Sequence, residues 1–147
     1  MPNAGADCVV DASVAAKWFL PPLQEPLVNE AFLFLDSYTK GQIQFIVPDL
    51  FWAEIGNLLW KACRQGGCTK NTAELAITSL KQRNLPTVPS DGLLDLAFSI
   101  ATAFDRTVYD CLYIALAVQS NSQFITADER LANALAAHFP VKWLGAI

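Results

Sequence analysis

Nothing in this chain is long and apolar enough to cross a bilayer: 53% of its 147 residues are hydrophobic, yet every uninterrupted apolar run falls far short of the roughly 18 residues required. No basic residue precedes Lys17, so the charged start of a secretory signal is absent and a cytoplasmic, membrane-free protein is expected. Histidine is represented by His138 alone. The four cysteines, Cys8, Cys63, Cys68 and Cys111, lie in or beside apolar segments without Cys-x-x-Cys spacing, which predicts buried free thiols rather than disulfides or a zinc site. No Gly-x-Gly-x-x-Gly or P-loop pattern occurs, which weakens nucleotide binding. Positive charge is also scarce. Ten basic residues face 14 acidic ones, giving a net charge of −4 and a pI near 4.8, so a polyanion is repelled in general. A phosphate then needs either a local basic surface or a bound cation. Internal repeats, low-complexity stretches and linkers are missing too, so one domain over residues 1–147 is expected, large enough to bury roughly 70% of its unfolded surface.

What the chain does have is an alternation of short β-branched runs with helical stretches. Cys8–Val10 reads as a strand ending in Asp11, and the helical segment after it continues to Pro21-Pro22. Leu27 to Tyr38 carries a helical apolar stripe that Leu33 and Phe34 widen beyond one face, as if part of it met a partner. Gln42–Val47 reads as a second strand. A long helix follows to about Arg64, with Asp49 as N-cap and Gly66-Gly67 as the stop. Thr69 caps a helix to about Leu80, residues 85–88 make a weak strand, and Ser90-Asp91 opens a helix to Phe104. Val108–Val118 is apolar on every side except for Asp110 and is expected to be a buried helix, with Thr107 and Asp110 forming a capping box. Gln123–Thr126 is a strand, a helix follows to about Phe139 with Thr126 and Glu129 as its capping box, and a last strand spans 141–144. This order implies an α/β fold with a parallel sheet covered on both faces.

Right-handed crossovers point all parallel strands one way, and ligands of open α/β sheets bind at their carboxyl edge. Asp11 and Asp128 each follow a strand, while Glu54 and Asp110 each fall in the opening turns of a helix expected to begin at that edge, so all four acids should share one rim. Carboxylates so grouped raise one another's pKa, and a divalent cation is the usual means of keeping them ionised. Oxygen ligands alone select Mg²⁺ or Mn²⁺, one ion or two. Removing the four acids from the count leaves 10 acidic against 10 basic residues, so the net charge equals the expected site. Such a centre suits phosphodiester hydrolysis.

Val10-Asp-Ala-Ser-Val14, Pro48-Asp-Leu-Phe-Trp-Ala-Glu54-Ile-Gly-Asn57, Val108-Tyr-Asp110-Cys-Leu-Tyr-Ile-Ala-Leu-Ala117 and Phe124-Ile-Thr-Ala-Asp128-Glu-Arg-Leu131 resemble the four signatures of the PIN-domain ribonucleases, and within them the VapC-like toxins. The resemblance covers about residues 7 to 144. It implies a three-layer α/β/α sandwich with a parallel sheet of about five strands, an Mg²⁺- or Mn²⁺-dependent endoribonuclease leaving 5′-phosphate and 3′-hydroxyl ends, an acidic quartet of Asp11, Glu54, Asp110 and Asp128, and hydroxyls of Ser13 and Thr126 lining it. It further implies a homodimer and a small antitoxin as partner. Cys111 stands where alanine is frequent, and Asp105 where a neutral residue is usual.

Each residue has a plainer reading. Asp11, Asp110 and Asp128 could simply cap helices, Glu54 and Asn57 could belong to a solvated face, and Ser13 and Thr126 could be caps. Asp128 has no capping task assigned by its neighbours. Of the cations near the motifs, Lys17 and Arg130 are retained as phosphate contacts, while Lys61, Arg64 and Arg106 read as solvated charges. Trp52 and Trp60 are expected in the core or a dimer seam. The competing functions are an aspartyl phosphotransferase, which needs an acid where Ser13 stands, a receiver-like domain, which needs a better-placed lysine than Lys142, and a non-catalytic interaction module whose acids only cap helices.

Overall fold

The central strand of the sheet shows why the chain folds as it does. In β1 (Ala6–Val10) the start, Ala6 and Asp7, is exposed, but Val9 and Val10 are wholly buried and Cys8 nearly so, because from there the strand is covered on both faces and has no solvent side to alternate toward. The computed structural model describes residues 6–21 and 25–147. Among these residues five parallel strands lie in the order β3-β2-β1-β4-β5, with β2 at Ile43–Pro48, β3 at Thr87–Val88, β4 at Gln123–Thr126 and β5 at Val141–Trp143. The α/β fold is as the alternation requires. From β1 the chain builds outward through β2 and β3, then returns to place β4 on the other side. The point where that order reverses is the β1/β4 seam, held in register by Val10 opposite Ile125.

Among the described residues seven α-helices surround the sheet: α1 (Ala12–Ala15), α2 (Val28–Thr39), α3 (Leu50–Arg64), α4 (Lys70–Gln82), α5 (Leu94–Phe104), α6 (Val108–Gln119) and α7 (Glu129–Leu135). In α6 every residue from Cys111 to Ala117 is buried, and the helix lies across β1, β2 and β4 with Tyr113 stacked on Phe124 at 5.2 Å. The all-round apolar stretch is thus a central helix. Near β2, Phe45 is enclosed by Trp18, Phe34 and Tyr38, with ring centroids 4.3–5.5 Å apart. Each fully buried aromatic of this kind contributes about 1.5–3 kcal/mol of burial free energy.

Several boundaries differ from the sequence reading. The helix after Asp11 is one turn of α-helix continued by a 3₁₀ turn to Trp18, and Pro22 of the expected stop lies outside the described residues. Ser90–Leu93 is a 3₁₀ turn before α5, the third strand shrinks to two residues, and α7 ends at Leu135 rather than near Phe139. On α2, Phe34 is buried while Phe32 and Leu33 are exposed, so only part of the widened stripe faces solvent. Among the described residues no helix is long and apolar enough to cross a membrane.

Candidate active site

At the carboxyl end of the β1/β4 seam lies a cleft of about 540 Å³. Its floor is Asp11 and Ser13, and one wall is a single helical stripe of α3, namely Leu50, Ala53, Glu54, Asn57, Leu58 and Lys61. Tyr109, Asp110 and Asp128 close it from the other side. Four chain segments therefore bring four carboxylates to one cleft. The topology does this because β1 and β4 end side by side, α3 follows β2 at the same edge, and α6 begins there before running back toward β4.

Asp11 is the most enclosed of the four, at 9% exposure. Its Oδ2 accepts a 2.7 Å hydrogen bond from the Thr126 hydroxyl, and its Oδ1 accepts one from the Ser13 backbone N–H at 3.3 Å, so it also caps α1. Burial pushes its pKa up, the Thr126 and Ser13 bonds pull it down, and the charge of Asp110 raises it again. Glu54 is half-buried and is raised by burial first, with Asp11 and Asp110 adding to the effect. The Tyr113 hydroxyl lies near enough to lower the Glu54 pKa, yet neither that hydroxyl nor Glu54 Oε1 makes a hydrogen bond of good geometry, and both are buried. Asp110 is raised by burial and by Asp128, and lowered by Thr107 and Arg106.

Two capping assignments are corrected. Thr126 and Glu129 do not form a box, because the Thr126 hydroxyl is turned inward. It donates to Asp11 and accepts from the Asp128 N–H at 3.0 Å. The cap of α7 is Asp128, which accepts from Leu131 N–H at 3.1 Å, so the acid left without a structural task has one. At α6, Thr107 accepts from Asp110 N–H at 3.1 Å, which is one half of the expected box. Asp49 sits at the N-cap of α3 but accepts from the Ser90 hydroxyl instead of capping.

The cations also change places. Lys17 is buried and paired with Glu25 at 3.0 Å, and Arg130 is exposed on α7, away from the walls of the cleft. Lys61, read from sequence as a solvated charge, is the only cationic side chain among the described residues lining the cleft. It lies on the same stripe as Glu54 and Asn57, a spacing visible in the sequence. Tyr109 was missed altogether: it lines the cleft and is 64% exposed, an aromatic face offered to solvent beside Asp110. Trp52 donates to the Thr87 hydroxyl, whereas Trp60 is exposed under Arg64 and is no core residue.

The donor set suits a hard divalent cation. All four acids offer oxygen only, none of them joins an ion pair among the described residues, and one buried oxygen of Glu54 has no partner. No three described His, Cys, Asp or Glu side chains converge into a ready-made cage, so the acids share the cleft without closing on one point.

Residues 8–135 match the family described as PIN domain. The chain is 30% identical over 126 residues to Ribonuclease VapC3 of Pyrobaculum aerophilum, covering 84% of this chain and 91% of that one. Among solved structures it resembles VapBC2 from Rickettsia felis bound to a promoter DNA fragment (TM-score 0.65, 9% identity, 93% and 98% of the two chains). It also resembles Mycobacterium tuberculosis VapC20, a Sarcin-Ricin loop cleaving toxin (0.64, 15%, 90% and 95%). At these identities the structural likenesses speak for the fold.

Proposed function

The chain belongs to the PIN-domain family, and from that premise we propose that it is a divalent-metal-dependent endoribonuclease acting as the toxin of a toxin–antitoxin pair. The observation that carries this reading is the meeting of Asp11, Glu54, Asp110 and Asp128 in one cleft with no cation paired to them among the described residues. In this reading those four residues hold Mg²⁺ or Mn²⁺, as one ion or two. When bound, the ion neutralises the carboxylates and supplies the Lewis acidity that activates water and stabilises the leaving oxygen.

The chain's own groups do the rest. Thr126 and Ser13 hold the Asp11 carboxylate in one orientation, so its oxygens are set before substrate arrives. Lys61 lies seven residues beyond Glu54 on α3, about 10 Å along the helix, and is placed to take an RNA phosphate away from the acids. Tyr109 offers a stacking face for an unpaired base. Hydrolysis leaves a 5′-phosphate and a 3′-hydroxyl. A cytoplasmic location and a small antitoxin as partner go with the toxin role. Exposed Phe32 and Leu33 on α2, and Leu94 and Phe98 on α5, support contact with that antitoxin or with a second copy in a homodimer.

An interaction module is the alternative that the capping roles of Asp11 and Asp128 favour. Total cellular RNA treated with metal-free protein, with and without Mn²⁺ or Mg²⁺, separates the two. The nuclease cleaves only with metal, and Asp11→Asn abolishes cleavage while folding normally. Cleavage by Asp11→Asn at the wild-type rate, or none by the wild type in any metal, overturns the proposal.

A further inference from the structure

Outside the cleft, the most specific juxtaposition of reactive groups is at the turn between α3 and α4. There the Sγ atoms of Cys63 and Cys68 lie 3.5 Å apart. Both thiols are half-buried, whereas Cys8 and Cys111 are buried, so the expectation of four buried thiols holds for only two. The approach is built by the backbone. Gly67 N–H bonds to Ala62 C=O at 2.8 Å and Gly66 N–H to Cys63 C=O at 3.2 Å, with Gly66 at φ +75°, which is the paired-bond ending of a helix with a left-handed residue after the cap. Thr69 then caps α4 by accepting from Thr72 N–H. Cys63 is thus held in the last turn of one helix and Cys68 immediately before the cap of the next, with their side chains facing across the turn.

We propose that Cys63 and Cys68 form a reversible dithiol–disulfide site that staples the end of α3 to the start of α4 under oxidising conditions. A disulfide needs its sulfurs about 2.05 Å apart, so closure requires them to move together by about 1.5 Å, within reach of side-chain rotation and a small shift of a solvent-facing turn. The oxidant is a low-molecular-weight disulfide such as glutathione disulfide. One cysteine thiolate attacks it, forming a mixed disulfide and releasing one glutathione thiolate. The second cysteine thiolate then attacks the protein sulfur of that mixed disulfide and releases the second. Two protein thiols give up two protons and two electrons, and the small disulfide takes both electrons to become two thiols. Because α3 also supplies the stripe from Leu50 to Lys61, the staple fixes the helix that forms one wall of the cleft.

The test uses the full chain, incubated with glutathione disulfide and then alkylated. The expected result is loss of two of the four thiols and of the mass of two hydrogens. After tryptic digestion, the peptide ending at Arg64 should be joined to the one ending at Lys70, and dithiothreitol should separate them. Cys63→Ser and Cys68→Ser, checked for folding by circular dichroism, should each stop at a stable glutathione adduct on the remaining cysteine of the pair. Four thiols left intact, a persistent adduct on the wild type without ring closure, linkage between two chains, or reaction at Cys8 or Cys111 overturns the proposal. None of these readouts depends on RNA cleavage.

Discussion

Thr126 and Tyr113 present the same functional group, a buried hydroxyl beside the acids, and the structure assigns them opposite energetics. Thr126 is fully buried and satisfies two partners, Asp11 and the Asp128 N–H, so Thr126→Val leaves a buried carboxylate short of a donor. A loss of about 1–3 kcal/mol in the urea unfolding free energy is expected. Tyr113 makes no hydrogen bond of good geometry, and Tyr113→Phe should change stability by less than about 1 kcal/mol in either direction. If the two variants unfold at the same urea concentration, the hydrogen-bond assignment at Asp11 is wrong. Tyr109 is tested by kinetics. Removing a stacking face is worth about 1–3 kcal/mol per base, so Tyr109→Ala should raise KM for RNA at least fivefold with kcat little changed, and Tyr109→Phe should restore it. Cys111, which follows Asp110 in α6 and is buried, has its thiol pushed up to about 11 by burial and should resist alkylation at neutral pH.

In α3 and just past its end, two glycines have different tasks. Gly56 sits in the helix interior with nothing within 4 Å of where a Cβ would stand, so Gly56→Ala should stabilise the protein by about 0.5–1 kcal/mol through helix propensity alone. Gly66 also has open space, but its φ of +75° is one that L side chains resist, and Gly66→Ala should cost about 1 kcal/mol. Equilibrium urea melts of the two variants should shift in opposite directions. The Gly66-Gly67 stop and the Asp110 helix could be read from sequence, because breakers and an all-round apolar run are local signals. Capping was less legible. Thr126 and Glu129 have the spacing of a box, yet the Thr126 hydroxyl turns to a carboxylate 115 positions away in the chain, and the cap passes to Asp128.

Across the molecule, the grouped acids make stability depend on pH and metal together. Asp11, Glu54 and Asp110 all have folded-state pKa values above their ordinary ones, so the native state holds their protons more tightly than the unfolded chain does. Their contribution to stability is fully present below the ordinary carboxylate range, about pH 4, and is lost as pH rises through the elevated values. Chelated wild-type protein should therefore lose stability relative to Asp11→Asn over that window, as read from urea midpoints of both proteins at each pH. Mn²⁺ or Mg²⁺ should reverse the loss for the wild type by about 2.7 kcal/mol at a hundredfold excess over Kd, and by less for the variant. A wild-type curve parallel to that of Asp11→Asn at every pH would show that burial and the neighbouring charge do not raise the Asp11 pKa.

The order of strands and helices, the buried helix after Thr107 and the four acidic segments were determined by the sequence alone, because apolar periodicity and turn residues act over a few positions. The carboxyl-edge rule was enough to expect the acids on one rim. Only the tertiary structure decided which groups share the cleft with them. Lys17 is drawn into a buried pair with Glu25, Arg130 points to solvent, and Lys61 and Tyr109 take the walls instead. The physical reason is that a strand or helix fixes which face a side chain occupies, while the neighbour it meets there is set by the β1/β4 seam and the packing of α3 and α6 around it.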